Sequence, residues 1–265
     1  MKMNTTVRIG LGVLAALCLQ ISGNLYGASY LYQDDFSANA GALNGRGTAD
    51  GFGNWTAGGS FQVGSDKIAI SSNTPVDYHT ASFSLPTLGA TDILSLSITV
   101  RPSGAGFMGI GFTSGSGQYL INSGYAWLYY EGLGAGNPNI QVFKGAGATN
   151  ATYYATLDNP ALGFDASLAT TFEYTYSAAA QTLSISAVNG ASPSRTLLNN
   201  ADMSAFPLSS FSNFALQFQG QTLGSDPNNP AYVDRLSVSI IPEPSTFSML
   251  LCGLGAMTAI YRRRR

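Results

Sequence analysis

The chain has 265 residues, with 12 Lys or Arg against 14 Asp or Glu, one histidine and two cysteines. Half of its basic residues lie at the two ends, so residues 29–241 carry six basic side chains against thirteen acidic ones, a net charge of −7 without the Lys/Arg cluster that phosphate backbones require. This excludes nucleic acid as a partner, and because Cys18 and Cys252 fall in the terminal apolar runs, it also excludes a disulfide, a zinc–thiolate site or a thiol nucleophile from the middle of the chain. In chain order, Lys2 and Arg8 give a basic start, and Ile9 to Ile21 form a 13-residue apolar stretch. That length suits a signal-peptide core and is too short for a comfortable membrane span. Residues 1–28 therefore read as a secretory signal, cut somewhere between Ser22 and Ala28.

Residues 29–240 read as one domain, since roughly 210 residues can bury around 70% of their unfolded surface without staples. The run "ILSLSITV" places Leu94, Leu96, Ile98 and Val100 on one side and Ser95, Ser97 and Thr99 on the other, the period of a half-buried strand. Phe172, Tyr174 and Tyr176 alternate in the same way, as do Leu183 with Ile185 and Ala187, Phe214 with Leu216 and Phe218, and Leu236 with Val238 and Ile240. Gly, Asn, Ser and Pro clusters separate these runs, and no amphipathic helical repeat occurs between them. The class is all-β, with eleven to fourteen strands in a two-sheet sandwich or jelly roll. A hairpin loop is expected near Ser177 to Gln181.

The end of the chain, "PEPSTFSMLLCGLGAMTAIYRRRR", sets 18 uncharged residues (244–261) before Arg262, Arg263, Arg264 and Arg265. The run can just span a bilayer, and cationic flanks favour the cytoplasmic side, which puts the domain outside. Pro242, Glu243, Pro244, Ser245 and Thr246 followed by this helix and the arginines resemble the PEP-CTERM sorting tail of exopolysaccharide-producing Gram-negative bacteria. The resemblance implies a tail over 241–265 that holds the protein in the membrane after secretion, until an exosortase cuts near Pro-Glu-Pro. It also implies a destination at the cell envelope, cell surface or extracellular matrix.

A second resemblance concerns the domain. Asp35, Phe36, Gly41, Leu43, Gly45, Gly53 and Trp55 in "YQDDFSANAGALNGRGTADGFGNWTAGGSFQV" look like the opening of concanavalin A-like lectin/glucanase sandwiches. "AYVDRLSVSII" resembles their closing strand, and the two segments are expected to lie side by side. Glucanases of that fold carry Glu-x-Asp-x-Glu on one strand, because retaining hydrolysis needs two carboxyl groups about 5 to 5.5 Å apart. No such run exists here. Glu131 and Glu173 have no acidic residue two positions away, and Asp34 and Asp35 are adjacent, so they point apart in an extended chain and read as turn or strand-end residues. His79 is the only histidine and no G-x-S-x-G elbow accompanies it. No catalytic residue is assigned.

Two features point to binding. In "YAWLYYEG", Tyr125, Trp127 and Tyr129 share one face of the expected strand, either as a platform for a sugar ring or packed into the sandwich. In "GSDPNNPAYVD", Asp226, Asn228, Asn229 and Asp234 are oxygen donors that suit a turn, and calcium is the one cofactor their chemistry leaves open; no metal site is otherwise expected. The expected function is a non-catalytic surface or matrix protein that binds or adheres to extracellular polysaccharide. The alternatives are a purely structural matrix protein and, third, a glycan-active enzyme. Protein recovered from the surface of its native host should lack the tail; an intact mass that retains Arg262 to Arg265 would identify a permanent anchor instead.

Overall fold

Alternating apolar and polar residues build two antiparallel sheets in the computed structural model, which describes residues 30–242 apart from 39, 49–50, 59–60, 71–78, 102–106, 116–119, 121–123, 132–138, 145–151, 159–163, 166–167, 205–207, 209–211 and 220–230. The expected signal segment and the apolar tail lie outside the described residues. Among those described, no helix is long and apolar enough to cross a membrane.

The first sheet runs β14 (Arg195–Asp202), β13 (Thr182–Asn189), β12 (Thr170–Ser177), β7 (Asp92–Arg101), β16 (Tyr232–Pro242), β5 (Lys67–Ile70), β4 (Phe61–Gly64) and β2 (Gly41–Ala42), with β1 (Tyr30–Asp34) also paired to β16. The second runs β11 (Thr152–Asp158), β10 (Asn139–Lys144), β9 (Gly124–Glu131), β8 (Phe107–Thr113), β15 (Asn213–Gln219), β6 (His79–Ser84) and β3 (Thr56–Ala57). The described residues thus hold sixteen strands, more than the eleven to fourteen expected. Part of the excess is β2 and β3, two residues each and too short to show a period.

The strongest sequence patterns become the strands of the first sheet. In β7 every second residue from Leu94 to Val100 is buried, and β12 and β13 alternate equally cleanly. Ser177 pairs with Thr182, so the hairpin loop is Ala178 to Gln181, as its composition suggests. On the outer face of this sheet the polar residues pair with each other. Ser97 Oγ donates to Glu173 at 2.7 Å, and the hydroxyls of Thr99 and Thr171 are 2.9 Å apart. The opening and closing segments lie side by side, with Tyr30 opposite Ile240 and Asp34 opposite Leu236.

The second sheet departs from the half-buried pattern. Phe214, Leu216 and Phe218 of β15 face the core, yet the alternate residues Asn213, Ala215 and Gln217 are buried as well, and so are Thr80 and Ser82 of β6 and Thr113 of β8. At these three strands both faces are closed to water. Residue type still alternates in β6, where Thr80 and Ser82 are interleaved with Ala81 and Phe83, while β15 and β8 place Ala215, Gly109 and Gly111 among the alternate positions.

Between the sheets, Trp55, Phe83, Phe112 and Phe214 form edge-on and tilted contacts with centroids 4.8 to 6.4 Å apart. Phe61 of β4 meets Phe218 of β15 at 5.4 Å, joining the two sheets in one core. Burial pushes the phenols of Tyr174 and Tyr176 above the ordinary tyrosine value of 10.0, because the core accepts only the neutral form. In the unfolded chain these groups ionise near 10, so their contribution is intact at neutral pH and is lost as the pH rises beyond that value. Tyrosinate absorbance should therefore rise together with loss of near-ultraviolet circular dichroism above about pH 10; ionisation of every tyrosine with the fold intact would contradict this.

Candidate functional site

The segment that carries the sandwich resemblance folds into a hydrogen-bonded chain. Trp55 Nε1 donates to Tyr32 Oη at 3.1 Å, and Tyr32 Oη donates to Asp34 Oδ2 at 3.3 Å. Asp34 in turn accepts from Arg46 Nε at 3.0 Å and Arg46 Nη2 at 3.2 Å, a two-point contact that suits the planar guanidinium. Arg46 Nη1 continues to the carbonyl of Ala38 at 2.9 Å, and the guanidinium lies 5.8 Å from the centre of the Phe36 ring. Burial, opposed by the bond from Trp55, raises the Tyr32 phenol well above its usual range, so it stays protonated and available as a donor.

Local geometry explains why these residue types recur at these places. Asp34 Oδ1 accepts from the backbone N–H of Phe36 at 2.7 Å, and Asp35 Oδ1 accepts from the N–H and hydroxyl of Ser37 at 3.1 and 2.7 Å. Those bonds from Ser37 hold the Asp35 carboxyl below the ordinary carboxylate range. Both aspartates thus hold the turn that follows β1. Gly45 takes a φ of +79°, which other residues rarely adopt, and Gly53 lies so close to β6 that an added Cβ would meet Ser84 Cβ at 2.9 Å. Asp34, Arg46, Asn44 and the small residues 40–42, 45 and 47 line an open cleft of about 570 Å³.

The aromatic strand is β9, between β8 and β10 in the second sheet. Its backbone does not alternate without a break. Ile110 pairs with Leu128 but Gly111 pairs with Ala126, so Trp127 is the extra residue of a β-bulge. Tyr125 consequently pairs with Phe112 and Tyr129 with Gly109, positions of opposite parity on β8. The side chains of Tyr125, Trp127 and Tyr129 lie outside the described part of the structure. A period read from sequence cannot reveal a bulge, because one inserted residue changes parity and leaves composition unaltered.

The remaining candidates divide cleanly. Glu173 projects from β12 opposite Ser97 and Ser186, so neither neighbouring strand offers it an acidic partner. His79 opens β6, and burial holds its imidazole below the usual value. Among the described residues, no three His, Cys, Asp or Glu side chains cluster as a metal site would require. Asp234 lies in β16, whereas Asp226, Asn228 and Asn229 lie outside the described residues, as do Glu243, Pro244, Ser245, Thr246 and Arg262 to Arg265.

Comparison with known proteins defines the class. Residues 241–265 match the PEP-CTERM protein-sorting motif, the mark of an exported protein. The domain has a concanavalin A-like fold, similar to winged bean acidic lectin complexed with methyl-α-D-galactose. That match has 11% identity and a TM-score of 0.53, over 81% of this chain and 99% of the lectin. It is similar also to the CBM2 module of the evolved Dit of Lactobacillus casei BL23 phage J-1, at 11% identity and a TM-score of 0.50, over 81% of this chain and 96% of the module. None of the curated proteins matches the chain.

The side chains of Arg46 and Asp34 are only 16% and 14% exposed, so removing one leaves the other largely desolvated and uncompensated. Asp34→Ala should lower the free energy of unfolding by about 2 kcal/mol, read by chemical denaturation. An unchanged midpoint would show that the pair is solvated and contributes little.

Proposed function

We propose that this protein is an exosortase-sorted component of the bacterial cell surface or extracellular matrix whose sandwich binds polysaccharide without cleaving it. In this reading residues 1–28 are removed as a signal peptide, residues 29–240 form the working domain and residues 241–265 deliver it through the exosortase route of a Gram-negative envelope. The observation that carries the proposal is the union in one chain of a protein-sorting motif with a lectin-type sandwich. The isolated Glu173 supports binding over hydrolysis, since a glycosidase needs two carboxyl groups on either side of the scissile bond.

Within the domain we assign the sugar contact to β9 and its aromatic residues Tyr125, Trp127 and Tyr129. Trp127 is central to that assignment, because bulges release a residue from the strand ladder and are concentrated beside binding sites. A purely structural role is favoured by one finding, the closure of both faces of β6, β8 and β15, which leaves those strands no open surface for a ligand.

Trp127→Ala separates the two. If Trp127 stacks on sugar, the variant should lose binding in a glycan titration and melt with the parent. If it is packed, the variant should lose about 3 to 5 kcal/mol of stability. A parent that binds no glycan together with a variant that melts early would leave the structural role standing. Release of reducing sugar by the parent would overturn both.

A further inference from the structure

The outer face of the first sheet brings together two cations and a ring from three distant parts of the chain. Lys67 opens β5, Tyr232 opens β16 and Arg101 closes β7, and these strands are neighbours in the order β7-β16-β5. Beside each residue in its own strand stands a fully buried one, Ile68, Val233 and Val100. Alternation therefore sets Lys67, Tyr232 and Arg101 together on the side away from the core. Lys67 Nζ lies 3.9 Å from the centre of the Tyr232 ring, and Arg101 Cζ lies 6.0 Å from the same centre. One ring thus spaces two positive charges that arrive from the strands on either side of it.

Among the described residues neither cation is held in an ion pair. The pairing of Val233 with Ile68 sets Asp234 opposite Lys67, but among the described residues the ion pair is Arg46 with Asp34. Among the described residues, Arg101 Nε is buried without a hydrogen-bond partner. A desolvated guanidinium N–H left open is costly to a fold, and native proteins rarely keep one without a use. The surroundings sharpen the point: residues 29–241 hold thirteen acidic and only six basic side chains, and two of the six share this ring. Such a pair recognises a single anionic group. A densely charged polymer would be repelled by the net charge of −7 around it.

We propose that Lys67 and Arg101, held apart by Tyr232, form a subsite for the carboxylate of an acidic sugar residue that occurs sparsely in an otherwise neutral polysaccharide. This rests on the polysaccharide-binding reading above and specifies the charge of the ligand. Arg101 and Lys67 supply the two charges, and Tyr232 acts as a positioning residue.

The test compares an oligosaccharide bearing one glucuronate with its carboxyl-reduced, neutral counterpart, titrated into the full-length protein. The parent should bind the acidic form about tenfold more tightly or better, as expected for one charge-assisted contact. Arg101→Gln and Lys67→Gln should each shrink that preference while melting at or above the parent temperature, a combination that a merely structural role would not produce. Equal affinity for the two oligosaccharides overturns the subsite and leaves polysaccharide binding intact; so does a preference that survives in both variants. Displacement by inorganic sulfate at the concentration of the oligosaccharide would define a general anion site and overturn the assignment to sugar. Failure of the parent to bind either form removes both readings.

Discussion

The sandwich depends on its last strand lying in the interior of a sheet. β16 lies between β7 and β5 and is paired also to β1, and Val233, Leu236, Val238 and Ile240 are all fully buried. Strands from the beginning, the first third and the end of the chain must therefore meet before the first sheet is continuous. Such non-local pairing is slow, because loop closure is entropically costly until the distant contacts form. Local hairpins such as β12–β13 can form early, but they complete nothing by themselves. The burial of four consecutive inward positions of β16 is what makes the arrangement hold once reached.

The chain from Trp55 through Tyr32 and Asp34 to Arg46 secures the same region from the other end. It runs from a fully buried indole to a part-exposed guanidinium and satisfies each polar group on the way. Asp34 is the last residue of β1, so the strand that covers β16 is pinned at its exit. Phe36, with a φ of +58°, turns the chain at once into the core, and the bond from its N–H to Asp34 holds that left-handed conformation in place. Packing, turn chemistry and a two-point ion pair act here on one short stretch.

Much of the first sheet was legible because its strands have one wet face and one dry face, so residue type reports direction. Leu94 to Val100 and Phe172 to Tyr176 fall where their period places them. The turn role of Asp34 and Asp35 was legible for a similar reason, since adjacent carboxylates in an extended chain point apart. The second sheet was less readable: β15 alternates in composition yet is buried on both faces, because burial of a polar side depends on what lies over it. The bulge at Trp127 and the meeting of Lys67, Arg101 and Tyr232 were not legible at all. Both are products of pairing between strands, which no local pattern encodes.

The boundary between core and tail is sharp. Ile240 has no exposed surface, while Ile241, where the sorting motif begins, is 47% exposed. A cut anywhere beyond Ile240 withdraws no inward-facing residue from the first sheet and breaks none of the rungs that tie β16 to β1. The sheet is thus closed before the sorting motif begins, and the fold of the domain draws none of its inward packing from the residues beyond Ile240.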